Sequence, residues 1–156
     1  MAIMEIVKAG SPLLKEKSAP ITKIDKNVRQ LLDDMAETMY KYEGVGIAAP
    51  QVGKSLCAVV IDVGKGRKEM INPIIVEREG NVSDTEGCLS VPDIYGEVDR
   101  AEKVTVEYYN RWNKRKKLSA DGLLARCIQH EIDHLEGRLF IDIAKSVHKG
   151  REEKKN

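Results

Sequence analysis

What the chain lacks narrows it first. Its 156 residues include 3 cysteines, an odd number too sparse to staple a fold, so a reducing cytoplasm is the expected setting rather than a secreted, disulfide-built one. Long apolar runs are missing too. The opening MAIMEIVKAGSPLLKEKS has no hydrophobic core of signal-peptide length, and no later stretch could span a bilayer, so no membrane partner is expected. Charge of one sign is also absent: 26 Lys+Arg against 25 Asp+Glu leave a formal +1. That balance gives no global reason to expect DNA or any other nucleic acid as partner. No Pro/Gly/Ser linker, internal repeat or low-complexity stretch divides the chain.

What is present is a foldable sequence with a heavily charged surface. Hydrophobic residues make up 42% and charged residues 33%, and the length suits one domain with a core of its own. The expected organisation is a single domain over 1–145 and a charged tail over 146–156, ending in KGREEKKN from Lys149.

Periodicity predicts two helices. From Asp25 to Glu43, residues Val28, Leu31, Leu32, Met35, Met39 and Tyr42 recur at three-and-four spacing on one face. Asp25 can cap the start and Gly44 can end it. A second helix is expected from Asp121 to Glu136, with Leu124, Cys127, Ile128, Glu131 and Leu135 near one stripe and Gly137 as its C-terminal cap. Between them, Leu56–Val63 reads as a buried strand, Met70–Val76 and Val104–Tyr109 as further strands, and Asn113–Lys117 as a hairpin turn or its flank. Helix, strands and helix in one small domain imply an α+β fold.

Chemistry concentrates on the second helix. His130-Glu131-Ile132-Asp133-His134 is a HExxH sequence. Four helical residues turn through about 400°, which brings both imidazoles to nearly one side, about 6 Å apart along the axis. Two ring nitrogens can then meet one metal ion, and Glu131 can reach a water beside it without being a ligand. Such a pattern arises by chance in roughly one chain of this length in a few hundred. The bland alternative is a pair of solvated surface histidines, which the apolar neighbours Cys127, Ile128 and Leu135 make the poorer account.

A catalytic metal site usually takes three protein ligands and keeps one position open. Downstream candidates for the third are Glu136, Asp142, His148, Glu152 and Glu153; Glu136 is too close on the same helix, and the others lie near or in the tail. Upstream, Glu86-Gly87-Cys88-Leu89-Ser90 offers a thiolate, a soft donor to add to two imidazoles. A lone cysteine is more often a structural thiol, a reading that suits Cys57 in its apolar strand and Cys127 one turn before His130. The stretch Gly44-Val45-Gly46-Ile47-Ala48-Ala49-Pro50-Gln51 has small residues that let a backbone approach a ligand or simply turn. Gln51 could donate its amide to a developing oxyanion, or be an ordinary polar loop residue.

Taken together and in this order, GVGIAAPQ, EGCLS and QHEIDHLEG resemble the three signature motifs of the peptide deformylases, and the similarity runs from about Val7 to Asp142. The resemblance implies a fold of mixed or antiparallel β-sheets packed around a central metal-binding helix, with a long N-terminal helix. It implies removal of the formyl group from the N-terminal formylmethionine of nascent polypeptides. Carried over by position, Cys88, His130 and His134 would hold one divalent metal ion, and Glu131 would be the general base and then the acid. The metal, the Gln51 amide and the Leu89 N–H would hold the formyl oxygen, and the Gly46 backbone would contact the substrate. Val45, Cys127 and Ile128 would line the methionine pocket, while Tyr95 and Ile94 would bear on substrate preference. Arg100 matches a structural basic residue, and Asp133 is expected to be exposed or behind the ligands. The family's native ion is usually Fe²⁺, with Zn²⁺ or Ni²⁺ in purified material, whereas the ligand set alone suggests zinc. Transient contact with the ribosome is a further implied partner, although the charged tail reads better as solvated than as its contact surface.

Two other classes compete. A zinc endopeptidase could be reached through HExxH alone, but it lacks a convincing downstream ligand. A non-catalytic, ribosome-associated metal module would have no reason to keep Glu131, Gln51 and Cys88 together.

Overall fold

Residues 2–150 are described by the computed structural model. Helix α1 spans Lys26–Lys41, and the Asp25 side chain caps it by accepting from the Val28 N–H at 3.1 Å. Its buried face is Val28, Leu31, Leu32, Met35, Ala36 and Met39. Tyr42, expected on that face, lies just past the last turn and is 47% exposed. Glu43 takes a positive φ of 59°, and the Gly44 N–H closes the end on the Met39 carbonyl at 2.9 Å.

Five strands form the larger sheet: β1 (Gly46–Ala48), β2 (Ala58–Ile61), β3 (Lys68–Glu79), β6 (Lys103–Tyr109) and β7 (Arg115–Asp121), in the order β1-β2-β3-β6-β7 and antiparallel throughout. The apolar run at β2 has a direct cause. Ala58 and Val60 join the core cluster under α1, while Val59 and Ile61 join a second cluster with Ala125, Ile128 and Leu135 of helix α2 (Gly122–Leu135). Both faces of the strand are covered, so neither can be polar.

The smaller sheet, β4 (Val82–Cys88), β5 (Val91–Arg100) and β8 (Ser146–Lys149), has the order β4-β5-β8. It encloses a third apolar cluster of Leu14, Val91, Val98, Leu139 and Phe140, the last from the short helix α3 (Phe140–Ile143). Residues 146–149, assigned to a charged tail by composition, instead pair with Ile94–Glu97 of β5. The remainder of that tail, 151–156, lies outside the described residues. Among the described residues, no helix is long and apolar enough to cross a membrane.

Helix α2 ends on a glycine held in place twice over. Gly137 has φ 83°; its N–H meets the His134 carbonyl at 3.1 Å, and the Arg138 N–H meets that of Asp133 at 2.9 Å, a Schellman closure. A Cβ on Gly137 would also stand 2.5 Å from the Lys15 carbonyl oxygen. The last turn of α2, which carries His134, is thereby fixed against the N-terminal segment.

Candidate active site

Helix α2 supplies two imidazoles from one buried face, and the C-terminal end of β4 supplies a thiol. The pairing of β4 with β5 is regular from Val82↔Arg100 to Glu86↔Gly96 and then slips before Cys88↔Val91. Such an irregularity re-aims the side chain that follows it. One ligand atom from each of Cys88, His130 and His134 lies within 4.8 Å of the other two, and Cys88 Sγ stands 3.3 Å from His134 Nε2. A thiol and two imidazoles converging from two elements make a donor set that suits a divalent metal.

His130 is oriented from behind. Its Nδ1 meets Glu86 Oε1 at 2.8 Å, and its ring stacks on Phe140 with centroids 6.0 Å apart. A carboxylate on the far nitrogen fixes the tautomer and leaves the near nitrogen to ligate. Glu86 itself is buried and held by two guanidiniums: Arg100 donates to both of its oxygens at 2.9 Å, and Arg126 donates to Oε2 at 2.7 Å. Burial alone would raise this carboxyl, but hydrogen bonds from Arg100 and His130 outweigh it and hold Glu86 well below the usual carboxylate range. Arg100 also binds Asp133 Oδ2 at 2.6 Å, and Arg138 binds the other oxygen at 2.9 Å. Asp133 is therefore buried behind the two imidazoles, and Arg100 is a strut between β5 and α2.

Glu131 contrasts with these satisfied groups. It is 4% exposed, and its Oε1 has no hydrogen-bond partner among the described residues. Burial pushes its pKa up to about 7. The same carboxylate explains Gly46: a Cβ there would lie 2.6 Å from Glu131 Oε2. His134 is pushed down by burial and by His130 beside it, which favours the neutral, ligating imidazole.

Gln51 is brought into the same site by a short 3-10 turn, Ala49–Val52, that follows β1. Its Oε1 accepts from the Ala48 N–H at 2.9 Å, so its NH₂ points outward, 3.2 Å from Ser90 Oγ and 3.5 Å from Cys88 Sγ. The site opens into a cleft of about 1040 Å³ whose walls include Val45, Gly46, Leu89, Leu123, Cys127 and Glu131. Burial pushes the Cys127 thiol up to about 12, so it presents an apolar S–H surface to the cleft. Ile128 does not line that cleft. It is fully buried in the cluster with Val59 and Met70, because it points from α2 into the larger sheet.

Three contributors escaped the sequence reading. Glu86 sits two residues before Cys88, within the same quoted motif. Arg126 lies one helical turn before His130, a charge inside an otherwise apolar stripe, which is itself a signal for a buried network. Leu123, 56% exposed at the cleft mouth, carried none.

Comparison with known proteins follows the same lines. A family model described as polypeptide deformylase matches residues 3–150. The chain belongs to the polypeptide deformylase family. A peptide deformylase of Desulfitobacterium hafniense is 54% identical over 94% of this chain and 98% of its own length, and one of Carboxydothermus hydrogenoformans is 54% identical over 97% and 100%. The solved peptide deformylase of Thermotoga maritima superposes with a TM-score of 0.90 at 41% identity, covering 92% of this chain and 99% of that one. The chain is a metal-dependent deformylase acting on nascent formylated peptides, and neither the endopeptidase nor the non-catalytic module is favoured by these relatives.

The close approach of Gly46 to Glu131 makes a sharp expectation for a peptide deformylase. Gly46→Ala should displace the Glu131 carboxylate and lower formate release about a hundredfold, the loss that about 1 Å of misplacement in an active site brings. Thermal unfolding of the variant should remain cooperative. Full activity in Gly46→Ala would mean that the contact relaxes freely and that Glu131 need not stay where it is.

Proposed function

We propose that Cys88, His130 and His134 hold the divalent ion and that Glu131 moves the proton in deformylation. The observation that carries this reading is the convergence of one thiol and two imidazoles beside a buried, unpartnered carboxylate. A divalent ion held there would supply Lewis-acid polarisation of the formyl carbonyl and a more acidic water. Glu131, raised by burial, accepts the water's proton and returns it to the departing amine, so one carboxyl is base and then acid. The Gln51 NH₂ and the Leu89 N–H hold the formyl oxygen as negative charge grows on it. Gln51 is suited to this because its carbonyl end is occupied by Ala48, which leaves its donors committed to the site.

The Gly46 backbone receives the peptide, while Val45 and Cys127 form part of an apolar wall for the methionine side chain. A formyl carbon carries only hydrogen and fits a site crowded by Gln51, Leu89 and Glu131, where a longer acyl chain would collide.

Iron(II) is the native ion in this proposal, with zinc or nickel able to occupy the same donors after purification. The setting is the cytoplasm, and the substrate comes from the ribosome, which the protein contacts transiently.

Anaerobically purified, metal-loaded protein should release formate from N-formyl-Met peptides and little acetate from N-acetyl-Met peptides. Solved peptide deformylases of Synechococcus elongatus and Ehrlichia chaffeensis are complexes with actinonin, and actinonin is expected to compete with the formyl peptide here. Cleavage of casein without formate release would overturn the assignment, and metal analysis of the anaerobic protein would test iron.

A further inference from the structure

The hairpin between β6 and β7 departs from the balanced charge of the whole chain. Its tip reads Arg111-Trp112-Asn113-Lys114-Arg115-Lys116-Lys117, and it lies well away from the cleft. The turn is rigid. Asn110 Oδ1 accepts from the Trp112 and Lys114 N–H groups at 2.9 and 3.0 Å, and Asn113 closes the loop in the left-handed region at φ 61°. Arg111 anchors it to the body of the protein by binding Glu69 at 2.8 and 2.7 Å and Asp33 at 2.6 Å. The acids of this corner are thus committed: Asp33 and Glu69 face Arg111 and Arg67, and Glu107 pairs with Arg115.

What the anchored turn presents outward is different. Trp112, the sole tryptophan of the chain, is 63% exposed, with the Arg29 guanidinium 5.0 Å from its ring centroid. Lys114, Lys116 and Lys117 are all exposed and make no ion pair among the described residues, nor does Arg29; Lys117 stands opposite Glu107 in the β6–β7 ladder, and Lys116 lies on the other face of the ribbon. A steadied indole with solvent on it, followed by exposed lysines on both faces of the ribbon, of which only Lys117 stands opposite an acid, is the pairing that single-stranded nucleic acid recognises: stacking for a base, ammonium groups for phosphates. A membrane surface would ask for an apolar face, and this tip has a single large apolar side chain among its charges.

We propose that the β6–β7 hairpin is a docking surface for unpaired RNA, with a base stacked on Trp112 and phosphates held by Lys114, Lys116 and Lys117. The placement suits a protein that must keep its cleft open while docked. Arg29 lies in the first turn of α1 and Tyr42, a cleft residue, just past its last, which separates the two by about 20 Å of helix. The inference deepens the proposed function, since it gives the ribosome contact of that reading a surface and a chemistry.

The lone tryptophan provides the measurement. Titrating the metal-loaded protein with a single-stranded oligo-uridine RNA of about 12 nucleotides should quench Trp112 emission saturably, and a duplex of equal length should quench it little. The triple variant Lys114→Gln, Lys116→Gln, Lys117→Gln should bind labelled RNA at least about tenfold more weakly and reduce the slope of log K against log salt by about 2. Trp112→Ala should weaken binding while leaving that slope unchanged. Formate release from a formyl-Met peptide without RNA should be the same in all of them. The inference is overturned if wild-type protein shows no saturable RNA binding near 0.1 M salt, if the triple variant binds as well as wild type, or if phosphatidylserine vesicles bind Trp112 and RNA does not. Loss of formate release in wild type would instead strike the catalytic reading, so the two can fail separately.

Discussion

Replacing Glu131 with Gln is expected to leave metal content near one ion per chain while formate release falls by about two orders of magnitude or more. The amide has the volume of the carboxyl and fits the space that Gly46 leaves beside it, so packing survives. Its nitrogen cannot accept a proton from water, and the step that needs a base is lost. The carboxyl is also uncommitted: Oε1 has no partner among the described residues, and Glu131 is not among the three convergent donors. The pH profile gives a second reading. Burial raises Glu131 to about 7 in the metal-free protein, and a neighbouring cation draws a carboxyl down. With the ion bound, a base that works only when ionised should lose activity as pH falls through that lowered value, on the acid side of 7. The residual activity of Glu131→Gln should lack that acid limb. Loss of the metal in this variant would instead make Glu131 a ligand or a structural group.

The features legible in the sequence are those governed by local periodicity. The i, i+4 spacing of His130 and His134 puts two imidazoles on one side of α2 before any tertiary contact is known. Val28, Leu31, Leu32, Met35 and Met39 mark α1 in the same way, and the unbroken apolar run at β2 announces a strand covered on both faces. Strands β4 and β5 were not legible because little of their surface is apolar and buried. Val82–Thr85 are all exposed, and the strand is held by pairing with β5 and by Glu86 meeting Arg100 and Arg126. A network of buried charges leaves no hydrophobic pattern to read. Ile128 shows the opposite failure: it belongs to the right helix, but the stripe that buries a residue does not say which of two cores receives it. Residues 146–149 are polar enough to pass for tail, and only the free edge of β5 makes them a strand. Cys88 was singled out only through the motif around it, since a lone cysteine in a polar strand carries little signal of its own.

That cysteine yields the most discriminating result. Cys88→Ala is expected to lose most of its metal and its activity, because two imidazoles alone leave a catalytic site one donor short of three. The fold should persist. Cys88 is only partly buried against the small cluster of Leu14, Val91 and Phe140, and β4 remains paired with β5 through Val82 to Glu86. Cys88→Ser should retain some metal at most, since a hydroxyl stays protonated near neutral pH and is a poorer donor than a thiolate. Cys57→Ala is the control. That thiol donates weakly to the Ser18 carbonyl at 3.5 Å and packs at the margin of the α2 core, so its removal should cost about 1 kcal/mol of stability with metal content unchanged. Metal per chain should therefore drop sharply for Cys88→Ala and stay near one for Cys57→Ala. Retention of full metal and activity by both variants would place the third ligand elsewhere and reopen the reading based on HExxH alone.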